Sequence, residues 1–251
     1  ESLADISTHE LNYRSFPALD GSEIDVMSAA TAIEVIQSFT LIHDDIMDED
    51  DLRRGVPAVH QQYDTETAIL AGDTLYAKAF ELMSSTGADP ANGTKAVHRL
   101  ATTCTKICEG QALDVEFERQ QEVLPVEYLE MVELKTAVLY GAAAATTAML
   151  MDASDKTIQA MYRYGIDAGC AFQIQDDVLD LTVPSEELGK QRGSDLVENK
   201  ETLITLHARK HGTDVDALVP DTRVSEVSEE DIDAAVESLR STGSITYASE
   251  K

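Results

Sequence analysis

Two short acidic strings with the same spacing could hold divalent cations. They read Asp44-Asp45-x-x-Asp48 and Asp176-Asp177-x-x-Asp180. Residues i and i+4 share one face of an α-helix, so the first and last carboxylates of each string predict a small acidic patch. Mg²⁺ prefers oxygen ligands, keeps several waters and binds one or two carboxylates together with substrate phosphates. Two such patches facing each other would bind a diphosphate through magnesium.

The alternative is a solvated helix face, because an acid-rich chain forms such strings by chance. Both strings, however, lie in segments rich in Phe, Leu, Ile and Val, at 39–47 and 171–181. Carboxylates in apolar surroundings are costly unless they bind something. We therefore interpret these side chains as metal-binding: Asp44, Asp45, Asp48, Asp176, Asp177 and Asp180.

Several of the scarce basic residues lie near the acidic strings or at the head of a predicted helix: Arg53, Arg54, Lys135, Lys190 and Lys200. Guanidinium and ammonium groups bind phosphate oxygens well. The pattern indicates a site where magnesium and basic side chains surround anionic substrates. The alternative for the two arginines is charge balance with the neighbouring Asp50 and Asp51.

The composition excludes some partners and favours others. The 251 residues include 47 acidic and 19 basic ones, giving a formal charge of -28, so we expect neither nucleic acid nor a stable membrane partner. Acid spread along the whole chain is typical of a halophilic protein. The 43% apolar content argues against disorder, and three cysteines with no secretory leader indicate the cytoplasm.

Helical periodicity predicts an all-α protein. Apolar residues recur at three- and four-residue spacing over long stretches, and runs of alternating β-branched residues are lacking. We expect one domain over residues 1–251. The predicted helices cover about 24–47, 66–83, 91–119, 125–150, 156–181 and 229–240. The first and fifth both end in an acidic string.

Further segments occur in a recognisable order around the two strings. These are 41–55 with Pro57 and His60, then 71–75, 110–114, Lys135-Thr136, Phe172-Gln173 and 188–195. In these segments the sequence resembles the trans-isoprenyl diphosphate synthases, also called polyprenyl synthetases, of the short-chain archaeal geranylgeranyl kind. The resemblance implies an isoprenoid synthase bundle of helices around a central cavity, usually a homodimer. It also implies head-to-tail condensation of isopentenyl diphosphate with dimethylallyl, geranyl or farnesyl diphosphate, with three Mg²⁺ per site when substrate is bound.

The resemblance also implies roles for individual residues. The main magnesium ligands would be Asp44, Asp48 and Asp176, with Asp45, Asp177 and Asp180 beside them. The allylic diphosphate would be bound by Arg53, Lys135, Lys190 and Lys200, and isopentenyl diphosphate by Gln37 and Arg54. Thr136 and Gln173 would steady the allyl cation, and with Lys135 they form the catalytic set.

In this family the product length depends on the cavity floor just before the first motif, here Ile36, Phe39 and Thr40. An aromatic residue five positions before the motif and a small one at four resemble geranylgeranyl synthases. We therefore expect mainly a C20 product, with C15 or C25 as alternatives. Phe39 could instead be an ordinary core residue. The resemblance also implies a Gly-Gly-Lys-Arg-x-Arg-Pro motif before residue 1 and further helices after residue 251, and we expect both in the full protein.

Two other functions fit parts of the pattern. A terpene cyclase shares the metal chemistry, but its second motif normally carries Asn, Ser and Glu. A non-catalytic subunit of a heteromeric synthase typically loses one acidic motif, and both are intact here. The spacings Cys104-x-x-x-Cys108 and His207-x-x-x-His211 are interpreted as ordinary helix positions. His43 packs against the next helix or tunes the carboxylates beside it.

Overall fold

The computed structural model describes residues 26–117, 119–120, 122–188, 191–220 and 227–251. The main helices are α1 (Met27–Met47), α2 (Val59–Gln62), α3 (Thr65–Met83), α4 (Pro90–Phe117), α5 (Pro125–Val132), α6 (Val138–Leu150), α7 (Asp155–Thr182), α8 (Ser185–Leu188), α9 (Ser194–Val197), α10 (Leu203–Lys210), α11 (Glu229–Ser241) and α12 (Ser244–Ser249). A π-helical turn covers Glu133–Ala137 and a 3₁₀ turn covers Val215–Ala217. The all-α prediction is confirmed.

Several helix starts follow from local side chains. Asp64 begins α3 and Ser154 begins α7, each accepting a hydrogen bond from a backbone N–H in the first turn. Ser228 begins α11 in the same way. These capped helices match their predicted ranges to within one or two residues, because the capping signal is written in the sequence.

The predicted helix over 125–150 is wrong in one respect. The chain stays helical, but the turn Glu133–Ala137 is π-helical and divides α5 from α6. A π turn inserts one extra residue per turn, which hydrophobic periodicity cannot detect. Such turns are frequent at functional sites.

A short hairpin follows α1 and was not predicted. Strand β1 (Leu52–Arg53) pairs antiparallel with β2 (Val56–Pro57). Arg54 and Gly55 form the connection with positive φ angles of 54° and 76°, as a two-residue type I′ turn requires. The hairpin fixes the path of the chain just after the first acidic string.

The core has two main parts that flank the site. One joins α1, α3, α4 and α6, and every residue of α6 is buried, as expected for its Ala-rich sequence. The other joins α5, α7, α10, α11 and α12. Both acidic strings lie on helices anchored in these cores, α1 and α7. Among the described residues, no helix is both long and apolar enough to cross a membrane.

Candidate active site

A cavity of about 980 Å³ opens between α1, α4, the π turn and α7. Four carboxylates of the acidic strings line it: Asp44, Asp48, Asp176 and Asp177. The two strings therefore meet at one cavity. Apolar side chains line much of the rest, including Phe39, Leu139 and Phe172. A pocket of this size can enclose an extended small molecule.

The first and last carboxylates of the first string are each paired with a lysine. Asp44 lies 3.3 Å from the Nζ of Lys135, and Asp48 accepts a hydrogen bond of 2.7 Å from the Nζ of Lys200. Burial raises the pKa of Asp44 in spite of the nearby lysine charges. Burial lowers the pKa of Lys135 and Lys200, but the surrounding carboxylates outweigh it, so the pKa of each lysine lies above its ordinary value. The site is an ion-pair network of alternating charge.

Asp45 points away from the cavity. It is 3% exposed and is bonded by the guanidinium of Arg53, whose Nε lies 2.7 Å from Oδ1 and which also contacts Asp50. In this state Asp45 neutralises an arginine. Its predicted role beside the metal stays a prediction.

The second string divides its carboxylates differently. Asp176 is exposed to the cavity, whereas Asp177 is buried and accepts hydrogen bonds from Tyr128 (2.5 Å) and Gln173 (3.0 Å). Burial, together with the charge of Asp195, raises the pKa of Asp177 to about 8. Asp180 is 1% exposed and accepts a hydrogen bond from Ser194. Asp180 therefore supports α9 and does not share the cavity lining with Asp176, contrary to the simple helical-face expectation.

The π turn carries the predicted catalytic pair Lys135 and Thr136. It lies against Gly110 of α4, where an added Cβ atom would come within 2.2 Å of the backbone nitrogen of Lys135. Only glycine allows this close contact. The Thr136 hydroxyl donates to Oε1 of Gln173 at 2.9 Å, and the Gln173 amide donates to Asp177. A continuous chain of hydrogen bonds thus joins the π turn to the second string.

Of the other residues predicted to bind substrate, two line the cavity and one lies outside the described residues. Arg54 and Gln37 line the cavity, Arg54 from the tip of the hairpin. Lys190 lies outside the described residues. The roles predicted for these residues remain predictions.

The predicted floor is only partly at the cavity. Phe39 and Thr40 line it, but Ile36 is fully buried in the core and does not. The Phe39 ring packs edge-on against His43, with 4.9 Å between centroids, and against Tyr76 of α3, at 5.2 Å. The His43 Nε2 lies 3.2 Å from the carbonyl oxygen of Ile69. The structure therefore favours the packing interpretation of His43.

Among the cavity-lining residues to which the sequence interpretation gave no role are Gln111, Asp114, Tyr128 and Glu198. The segment 110–114 was singled out only as a motif. Its spacing does signal a function, because Gly110, Gln111 and Asp114 meet the π turn or the cavity. Tyr128 and Glu198 carry no comparable signal.

Three comparisons bear on this arrangement. A family model described as polyprenyl synthetase matches residues 11–239. The chain belongs to the polyprenyl synthetase family. Among its relatives, the geranylfarnesyl diphosphate synthase of Natronomonas pharaonis is 64% identical over 250 residues, covering 100% of this chain and 72% of the relative. The geranylgeranyl diphosphate synthase of Methanosarcina mazei is 51% identical over 222 residues, covering 88% and 67%.

Solved structures of the family share the fold. The geranylgeranyl pyrophosphate synthetase from Geoglobus acetivorans superposes with a TM-score of 0.86 at 41% identity, over 99% of this chain and 76% of that one. The resemblance predicted from the ordered motifs is confirmed. The polyprenyl synthetases are trans-isoprenyl diphosphate synthases, so this chain is a trans-prenyltransferase.

Proposed function

We propose that the cavity condenses isopentenyl diphosphate with an allylic diphosphate in a magnesium-dependent reaction. The carrying observation is that Asp44, Asp48 and Asp176 line the same cavity as Lys135 and Lys200. Among the described residues, no three acidic, His or Cys side chains come close enough to hold a metal alone. That arrangement fits a hard cation that takes some of its ligands from substrate phosphate and water. Bound magnesium would neutralise charge on the departing diphosphate.

The other side chains of the cavity would assist the steps that follow substrate binding. Lys135 and Lys200 bind phosphate oxygens as the allylic C–O bond breaks and the diphosphate leaves. The oxygen dipoles of Thr136 and Gln173 face the carbocation, and the apolar walls exclude water that would capture it. The double bond of isopentenyl diphosphate then attacks the cation to form a C–C bond. A proton lost to the released diphosphate leaves a product five carbons longer.

The test is a product assay with purified protein. Magnesium, isopentenyl diphosphate and each of dimethylallyl, geranyl and farnesyl diphosphates are supplied, and the products are separated by chromatography. Longer prenyl diphosphates that vanish with a chelator support the proposal. Product formed only after a partner synthase is added would instead support the non-catalytic subunit.

For product length we propose mainly C20, because Phe39 at the cavity wall limits chain growth. The second candidate is C25, which the 64% identity to a relative named geranylfarnesyl diphosphate synthase favours. The wild-type product decides between them. In Phe39→Ala the wall recedes and the main product should lengthen by one or more five-carbon units. Thr40 would be left in place, and unchanged length would show that Phe39 is ordinary core.

We also propose a homodimer, supported by an apolar surface on α3. Ile69 is 42% exposed, Leu70 66% and Tyr76 37%. Large apolar side chains grouped on one exposed face mark association surfaces. Sedimentation should give twice the monomer mass for the wild type and a monomer for Leu70→Glu, whereas Val126→Glu, on α5 and 67% exposed, should remain dimeric. A monomeric wild type would contradict the proposal.

A further inference from the structure

The two lysines of the cavity share a pattern that the reaction scheme above does not use. Lys135 contacts Asp44 at 3.3 Å and Asp114 at 2.6 Å. Lys200 contacts Asp48 at 2.7 Å and Glu198 at 3.1 Å. Each ammonium group therefore bridges one carboxylate of the first acidic string and one carboxylate outside both strings. The outside pair, Asp114 and Glu198, lies on different segments, α4 and the residue after α9.

Binding of a divalent cation would weaken some of these lysine contacts. Asp44 and Asp48 are the carboxylates proposed to bind magnesium, and a carboxylate oxygen that binds a divalent cation is a poorer acceptor for an ammonium group. Each lysine then loses one of these two contacts, although the charge of Asp195 also acts on Lys200. A lysine side chain carries about 2 kcal/mol of rotamer entropy, so an unanchored one would spend little time in its binding position.

We propose that Asp114 and Glu198 are positioning residues that hold Lys135 and Lys200 in the cavity while magnesium occupies Asp44 and Asp48. The inference rests on the proposed function of the site. Both carboxylates are well shielded, with side chains 15% and 20% exposed, so their contacts with the lysines are only weakly screened by solvent. Neither residue touches substrate in this role. Each acts through the lysine it holds.

A simpler alternative is that these carboxylates raise magnesium affinity by their charge alone. The two ideas differ in whether the lysine is needed. If the carboxylate acts through the lysine, removing Asp114 in a double-mutant cycle should weaken binding of a substrate analogue only while Lys135 is present. A charge effect on the metal would persist in both backgrounds.

The experiment measures calorimetric binding of an unreactive allylic thiolodiphosphate in saturating magnesium. The variants are Asp114→Asn and Glu198→Gln, alone and combined with Lys135→Met and Lys200→Met respectively. Asp216→Asn is the matched control, because it removes an equal charge from a carboxylate that pairs with Arg209 at 2.8 Å and does not line the cavity. Thermal unfolding checks that each variant is folded.

We expect Asp114→Asn and Glu198→Gln each to weaken analogue binding about tenfold, the worth of one charged hydrogen bond. The same substitutions should change it less than about twofold in the lysine-free backgrounds, and Asp216→Asn should leave it unchanged. Equal weakening in both backgrounds would overturn the inference, as would unchanged binding in both single variants. If one carboxamide variant fails to fold, the other pair gives the same test. A wild type that does not bind the analogue with magnesium refutes the proposed function itself.

Discussion

The contact between Gly110 and the π turn gives the sharpest test of how the site is built. A Cβ atom at position 110 would lie 2.2 Å from the Lys135 nitrogen, 2.6 Å from its Cα and 2.7 Å from the Leu134 carbonyl carbon. All three are backbone atoms, so no side-chain rotation relieves the clash. Ordinary contacts are ~3.5 Å or longer, so Gly110→Ala must separate α4 from the π turn by about 1 Å.

That displacement acts on both stability and chemistry. Overpacking of this kind costs ~1–3 kcal/mol of unfolding free energy. Lys135 and Thr136, which are proposed to be catalytic, lie in the displaced turn, and a shift of ~1 Å in a positioned catalytic group costs about 100-fold in rate. We therefore expect Gly110→Ala to stay folded at moderate temperature but to lose about 100-fold in kcat.

Gly93→Ala is the matched control, because it makes the same change in the same helix where a new Cβ meets nothing within 4 Å. Its unfolding free energy should rise by up to ~1 kcal/mol, since alanine favours the helix, and kcat should be unchanged. Urea unfolding and steady-state product formation measure both effects. If Gly110→Ala kept kcat within about threefold of the wild type, the close contact would not be what places the pair.

Three further predictions test other parts of the molecule. Burial raises the pKa of Cys104 to about 12 and that of Cys170 to about 11, while Cys108 is exposed, so iodoacetamide at about pH 8 should label Cys108 first by peptide mass spectrometry. Comparable labelling of Cys104 in the folded protein would contradict this. Tyr128→Phe removes a buried 2.5 Å hydrogen bond to Asp177 and should lower the unfolding free energy by ~1.5–3 kcal/mol in urea titrations, whereas Tyr63→Phe, 70% exposed, should change it little. A loss equal in both would remove the special role of Tyr128. The formal charge of -28 predicts a thermal midpoint that rises between ~0.1 and ~2 M KCl as repulsion is screened, and a flat midpoint would show that self-repulsion is unimportant.

The sequence predicted what local patterns encode. Long amphipathic helices, their caps and the shared face of Asp44 and Asp48 follow from periodicity, capping residues and helical spacing, whereas the meeting of the two strings depends on how α1 and α7 pack. The π turn did not follow, because one additional residue in a helical turn leaves hydrophobic spacing almost unchanged. The partner of Lys135 was likewise hidden. Asp114 is 21 residues away and reaches the lysine only because Gly110 lets α4 approach.

The two acidic strings have the same spacing but different surroundings, because tertiary packing brings different partners to each. Helical spacing places carboxylates on a face but does not say which partner occupies it. In the first string Asp45 meets an arginine brought back by the hairpin, and in the second Asp180 meets Ser194 of α9. These partners lie outside the strings, Arg53 in β1 and Ser194 in α9. A motif therefore predicts which carboxylates share a helix face, and tertiary packing decides which of them line the cavity.

The middle carboxylate of the second string shows what such a partner can do. Asp177 accepts a hydrogen bond from the amide nitrogen of Gln173, which fixes the orientation of that amide. With its nitrogen engaged there, the Gln173 oxygen is turned to accept from Thr136. The Thr136 hydroxyl thereby donates its proton to Gln173. Its oxygen lone pairs then stay available for the proposed carbocation. Asp177 is thus tied to the residues proposed to steady the carbocation, and the second string would link the proposed diphosphate site at Asp176 to those residues.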